Sequence, residues 1–144
     1  MKRFQVVSPL LSLVVFAGLA VIVAQGEKQA RSAMIEGTVN YISDGDTFRI
    51  NGHAHPIRLW GIDAPEIDRA AGTRAKAQLH GLVTGVKLTC HRKATDKYRR
   101  TVAQCFVGVE DISWQMIASG HAIEMCGFSR NAYGTCVAAK GSSG

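Results

Sequence analysis

The strongest constraint on the fold is a series of short apolar stretches punctuated by turn signals, with one helical stretch inserted after the third. Residues 35–42 (IEGTVNYI) partly alternate apolar and polar in strand fashion, and Asp44-Gly45 then marks a turn. Residues 47–50 read as a second strand, and Asn51-Gly52 is a strong hairpin turn. Residues 55–62 read as a third strand, with Ile57, Leu59 and Gly61 on one face and Arg58 on the other, because strand side chains alternate. Pro65 stiffens a loop over residues 63–68. Residues 70–83 read as a helix with Ala75, Leu79, Leu82 and Val83 as its inner stripe and Gly85 at its end. Residues 86–90 and 101–107 read as the fourth and fifth strands, on either side of a charged turn at 96–100. Asp111 is placed to cap a second helix over 112–119, with Ile112, Gln115, Met116 and Ser119 on one face and Trp114 expected in the core. Beyond Ala122 the pattern fades into a loop, and there is no internal repeat.

Five strands with a helix between the third and fourth predict an α+β, mainly β fold: a five-stranded OB-type Greek-key barrel with two or three short helices. The chain has 144 residues, enough for one such domain. Residues 34–136 are assigned to it, 25–33 to a polar linker and 137–144 to a disordered tail. Residues 1–24 read as an N-terminal signal or anchor helix: Lys2 and Arg3 precede a run, 6–24, without a charged residue. Ala24 and Ala20 are candidate cleavage points, whereas an uncleaved membrane anchor is the alternative, since the run is about 20 residues, the length of a spanning helix. Either way the domain is expected outside the cytoplasm, periplasmic or secreted, or anchored to the membrane, because the positive flank stays inside.

Cys90, Cys105, Cys126 and Cys136 allow three pairings. An even count in an exported chain points to disulfides. Cys90–Cys105 would tie the strands flanking the 96–100 turn, and Cys126–Cys136 would close the late loop. No pair has CxxC spacing, which argues against structural zinc. The formal charge is +6, and removal of Lys2 and Arg3 with residues 1–24 leaves +4. A basic domain suits a polyanionic partner, and a merely soluble basic surface explains the charge equally well.

Three ordered blocks carry the chemistry: Asp44-Gly45-Asp46-Thr47, the stretch from Arg58 through Asp63-Ala64-Pro65-Glu66, and Asp96-Lys97-Tyr98-Arg99-Arg100. Asp46 and Asp63 lie at strand ends and could converge on one hard cation, Ca²⁺ or Mg²⁺. Glu66 could handle a water near that cation without ligating it, or it could serve only as a surface carboxylate near the 70–83 helix. Arg58 and Arg100 offer fork-shaped donors that match phosphate oxygens. Lys97 and Tyr98 could contact phosphate or sugar, or be plain turn residues. His53 and His55 read as part of an exposed hairpin, since no third metal ligand is evident. Phe128 and Tyr133 could stack on bases or simply pack the late loop.

These blocks resemble the thermonuclease family, the staphylococcal-nuclease-like OB-fold endonucleases, over about residues 34–125. The resemblance implies a Ca²⁺-dependent, sugar-nonspecific endonuclease that acts as a monomer on DNA and RNA and leaves 3′-phosphate ends. It assigns Asp46, Asp63 and the Ala64 backbone carbonyl to Ca²⁺, Arg58, Glu66 and Arg100 to catalysis, and Lys97 and Tyr98 to the nucleotide's phosphates. Two departures stand out. Arg99 occupies a position where the family usually has Gly, and the chain ends soon after Tyr133, where relatives continue as a helix. The alternatives are a non-catalytic nucleic-acid-binding module and a membrane-anchored interaction domain.

Overall fold

The computed structural model describes residues 33–136; the predicted signal or anchor segment 1–24, nearly all of the linker and the tail 137–144 lie outside the described residues. Among the described residues, eight strands and three helices follow one another as β1 Met34–Ile42, β2 Thr47–Ile50, β3 Ile57–Leu59, β4 Ile62–Asp63, α1 Ala70–Val83, β5 Lys87–Thr95, β6 Thr101–Val107, β7 Glu110–Asp111, α2 Ile112–Ala118, β8 Ile123–Glu124 and α3 Cys126–Ser129. Hydrogen bonding runs in the order β3-β2-β1-β5-β6, and a further β3–β6 pairing closes the five strands into the expected barrel, with β7 extending the β6 edge. That closing pair is parallel, with Ile57 opposite Thr101 and Leu59 opposite Ala103; the other barrel pairs are antiparallel.

Alternation sorts the side chains. In β6, Thr101, Ala103 and Cys105 point inward and are buried. Phe48, Ile50, Ile57, Leu59 and Leu88 join them, and Ala75, Leu79 and Val83 of α1 and Ile112 and Met116 of α2 cover the same core. Fully burying a residue of the Leu, Ile or Phe type contributes roughly 1.5–3 kcal/mol, so this set is the main source of stability. Helix α1 spans the predicted range: Ala75, Leu79 and Val83 are buried, Leu82 is half-buried against the same core, and Gly72 joins the inner stripe. Gly72 is needed there because a methyl group would collide with the carbonyl oxygens of Glu66 and Pro65.

Other expectations need correction. The predicted third strand is two pieces: the backbone turns at Gly61 (φ 77°), and β4 leaves the barrel to pair with β8. β5 runs on to Thr95, past the expected end at Cys90, because its outer half pairs with β6 while its polar side chains face solvent. Trp114 is 44% exposed, not in the core. Helix α2 buries Ile112, Ser113 and Met116, and at about 100° per residue position 114 falls on the opposite side; Ser119 is likewise exposed. The Asp111 cap is present, with its carboxylate accepting from the Ser113 and Trp114 N–H groups. Where a loop was expected after Ala122, β8 and α3 form elements too short for any sequence period to mark.

Both favoured disulfides are present. Cys90 and Cys105 face each other across β5 and β6 with Cα atoms 4.0 Å apart, and Cys126–Cys136 closes the late segment over a separation of 10 residues.

Candidate active site

The first block folds because Asp44 accepts the Asp46 N–H on its carboxylate at 3.0 Å, a local side-chain turn that short acidic residues favour. Burial pushes the Asp44 carboxyl above the ordinary value, and the neighbouring Asp46 charge adds to this. Gly45 seats the turn against its neighbours: a methyl there would lie 2.6 Å from the Ala75 Cβ and 2.7 Å from the Ala64 Cβ. Asp46 is thereby buried, at 4% exposure. Its Oδ2 accepts from the Ala64 N–H at 3.0 Å and its Oδ1 from the Thr47 hydroxyl at 2.9 Å.

Arg58, in the middle of β3, pairs with Asp46 through Nη1 and donates from Nη2 to Asp63 Oδ1 at 3.0 Å. One guanidinium thus bridges the two carboxylates predicted to converge. Burial works against its charge, but Asp46 and Asp63 outweigh burial and hold its pKa above the ordinary value. Arg100 reaches in from the other side of the barrel seam. Its Nε donates to Asp96 Oδ2 at 2.7 Å and its Nη1 to the Thr47 hydroxyl at 3.4 Å. Desolvation raises the Asp96 pKa, but hydrogen bonds from Arg100 and Tyr98 more than offset it, leaving Asp96 below the usual carboxylate value. Asp63, Arg58, Asp46, Thr47, Arg100 and Asp96 therefore form one continuous polar chain across the β3–β6 seam.

The turn 96–100 settles which arginine faces inward. Arg99 sits at φ 64° with its side chain exposed, and Arg100 is the half-buried member. Arg58 and Arg100 line a cavity of about 580 Å³ together with Lys97, Tyr98, Trp60 and Phe128. That is within the ordinary range for a small-ligand site, about 300–1,000 Å³. The Tyr98 ring lies 5.0 Å from Lys97 Nζ and 5.3 Å from the Arg100 guanidinium carbon, so the exposed aromatic is flanked by cations. Tyr133 belongs to the packing instead: its ring lies 5.9 Å from that of Trp60, and its hydroxyl donates to Asp111 Oδ2 at 3.3 Å.

Not every predicted site residue joins this cluster. Asp46 and Asp63 reach it through Arg58 but do not line the cavity. Glu66 is exposed, and among the described residues its carboxylate makes no hydrogen bond or ion pair with the others. His53 accepts from or donates to the Thr101 hydroxyl at 3.1 Å, away from any metal role; burial, with His55 and Arg92 nearby, lowers its pKa.

Asp46 and Asp63 offer the hard oxygen donors that Ca²⁺ or Mg²⁺ takes, although here both carboxylates are held on Arg58 and the Ala64 group tied to Asp46 is its N–H. Among the described residues no group of three or more His, Cys, Asp and Glu is placed to hold a metal, so backbone oxygen and water would have to complete the shell.

Sequence reasoning missed the organisation of the late loop. Glu124, buried in β8, accepts from the Ser129 hydroxyl at 2.6 Å, the Tyr133 N–H at 3.0 Å and the Thr135 N–H and hydroxyl at 2.9 and 2.8 Å. Desolvation pushes its pKa up, but these donors outweigh it and hold the value down to about 2. Together with the Cys126–Cys136 bridge, this anchors Met125 and Phe128 along the cavity wall. A lone acidic residue carries no sequence signal for such a hub.

A family model described as staphylococcal nuclease homologue matches residues 56–137. Among known proteins, the chain is 36% identical over 84 residues to an uncharacterized endonuclease of Haemophilus influenzae, covering 56% of this chain and 47% of that one. It is 38% identical over 96 residues to protein ParB of Escherichia coli, covering 65% and 52%. It is 34% identical over 80 residues to a micrococcal nuclease of Shigella flexneri, covering 54% and 46%. The chain therefore spans about half the length of the curated relatives it matches.

Proposed function

Because the chain belongs to the staphylococcal nuclease homologue family, we propose that it is an exported, Ca²⁺-dependent endonuclease that hydrolyses phosphodiester bonds of DNA and RNA without sugar preference and leaves 3′-phosphate ends. The observation that carries this reading is the convergence of Arg58, from β3, and Arg100, from the end of the 96–100 turn, on one cavity, joined through Asp46 and Thr47. Two guanidiniums lining one cavity match the non-bridging oxygens of a phosphate and neutralise the charge that builds there during in-line attack.

Each residue has a distinct task in the proposed mechanism. Arg58 and Arg100 clamp the scissile phosphate, and Lys97 and Tyr98 hold the flanking phosphate and sugar. Asp46, Asp63 and the Ala64 carbonyl would hold Ca²⁺, which would supply further positive charge to the phosphate. Glu66 carries a carboxylate with no partner among the described residues, free to accept a proton from an attacking water or to orient that water. Phe128 and Tyr98 offer aromatic faces for bases without selecting among them. Two disulfides support an oxidising compartment, consistent with residues 1–24 acting as a signal or anchor.

The test is cleavage of single-stranded DNA and of RNA by the purified protein, with Ca²⁺ and then with a chelator, run beside Glu66→Ala. Cleavage that requires Ca²⁺ and collapses in Glu66→Ala supports the reading. Tight binding without cleavage by folded wild type points instead to a nucleic-acid-binding module.

A further inference from the structure

β5 carries one residue more than its partner strand at one point. Arg92 lies opposite Ala103 and Ala94 opposite Val102, so Lys93 is the extra residue of a bulge. Bulges re-aim the side chain they carry and are found beside functional sites. Here the Lys93 ammonium lies 5.2 Å from the centre of the Trp60 ring. Trp60 is fixed from two sides: its backbone N–H donates to the Ala103 carbonyl at 2.9 Å, beside the bulge, and its ring packs on Tyr133. Trp60 also lines the cavity that holds Arg58 and Arg100. Lys93 is exposed and has no ion-pair partner among the described residues, whereas Lys87 on the same strand is paired with Glu36 at 2.7 Å.

We propose that Lys93 is an additional phosphate-binding residue of this site, contacting the phosphate next to the one clamped by Arg58 and Arg100, with Trp60 holding its ammonium in position. This rests on the nucleic-acid reading given above. A lysine on a flexible stem loses rotamer freedom on binding, and a cation held over an indole has already lost part of it. The residue therefore favours substrates long enough to present a second phosphate.

Binding of a single-stranded oligonucleotide of about ten nucleotides, a length suited to one barrel of this kind, is measured against salt with chelator present so that no cleavage occurs. One lost single-strand phosphate contact lowers the slope of log K against log salt by about 0.7. Lys93→Ala is expected to show that drop, Lys93→Arg to recover most of it, and Lys87→Ala to match wild type. With Ca²⁺, Lys93→Ala is expected to raise KM for the oligonucleotide severalfold at unchanged kcat, and to leave cleavage of a dinucleotide with one phosphodiester unaltered. An unchanged slope in Lys93→Ala, or equal losses on both substrates, overturns the proposal. If wild type does not cleave but Lys93→Ala still lowers the slope, the nuclease reading fails and the phosphate contact stands. Melting midpoints equal to wild type exclude misfolding; if Lys93→Ala melts early, Lys93→Gln takes its place in the same two assays.

Discussion

Replacing Arg99 with glycine should stabilise the domain. The turn is closed by the Arg99 N–H donating to the Asp96 carbonyl at 3.0 Å and by the Asp96 N–H donating to the Arg100 carbonyl at 3.1 Å. The Asp96 carboxylate accepts the Tyr98 and Arg100 N–H groups, each at 2.9 Å. This is a three-residue hairpin loop whose last residue must be left-handed, a position suited to glycine. Arg99 occupies it at φ 64°. An L-residue there costs roughly 1–2 kcal/mol. Glycine relieves that cost but gives back about 0.4–1 kcal/mol through the greater freedom of its unfolded chain. The expected net gain for Arg99→Gly is about 0.5–1 kcal/mol, or roughly 2–6 °C in melting midpoint for a domain of this size. Arg99→Ala separates backbone from side chain: it keeps the left-handed cost and removes only an exposed side chain, so its midpoint should stay within about 0.5 kcal/mol of wild type. Thermal and urea melts of the three proteins decide the matter. If glycine gives no gain, or alanine gains as much as glycine, the strain argument is wrong.

The same turn predicts opposite effects on activity: Arg100→Ala should lower kcat by on the order of 10²–10³, and Arg99→Ala should change it far less; comparable losses would mean that Arg100 is not the phosphate clamp. Glu124 titrates from an unfolded value near 4.5 to about 2 in the folded chain, so its contribution is complete above pH 4.5 and drains away as pH falls toward 2. Urea midpoints taken between pH 5 and 2.5 should fall more steeply for wild type than for Glu124→Gln, and parallel curves would remove Glu124 from the list of stabilising groups. Opening the Cys126–Cys136 loop, whose ends are 10 residues apart, with a double Cys→Ser change should cost roughly 2–3 kcal/mol by loop entropy and raise KM as Phe128 loosens; an unchanged melt and KM would show that the Glu124 hydrogen bonds suffice alone. Gly72→Ala should destabilise by about 1–3 kcal/mol, since α1 would have to lift off the Glu66 carbonyl; a neutral result by the same melts would show that the helix yields easily.

Elements governed by local pattern were legible in the residues. β2, β6 and α1 fall where alternation, turn signals and helical spacing place them. Legibility failed where a partner distant in sequence decides the outcome. The outer half of β5 is a strand because β6 pairs with it, although its own charged residues do not alternate. β4 and β8 are strands only through each other. Trp114 looked like core by size, but the position of the Asp111 cap set the helix phase and turned it outward. At the site, residue types announced the two arginines and the acids, and the Arg99 question could be posed but not answered until the backbone angle was known. The Arg58 bridge between Asp46 and Asp63, the Thr47 link to Arg100 and the Glu124 hub join residues with no common sequence period.

The barrel is closed by a short pairing, three residues of β3 laid parallel to three of β6. Arg58 lies in the middle of one edge of that seam, and Arg100 immediately precedes the other. The two guanidiniums are therefore strangers until the ring is zipped shut, an event that unites parts of the chain distant in sequence and carries a loop-closure cost. A half-made barrel can keep β1, β2, β5 and β6 together and still possess only halves of a phosphate clamp. Catalytic output would then serve as a gauge of ring closure, rising in step with the final zipping and silent in a chain whose seam is still open.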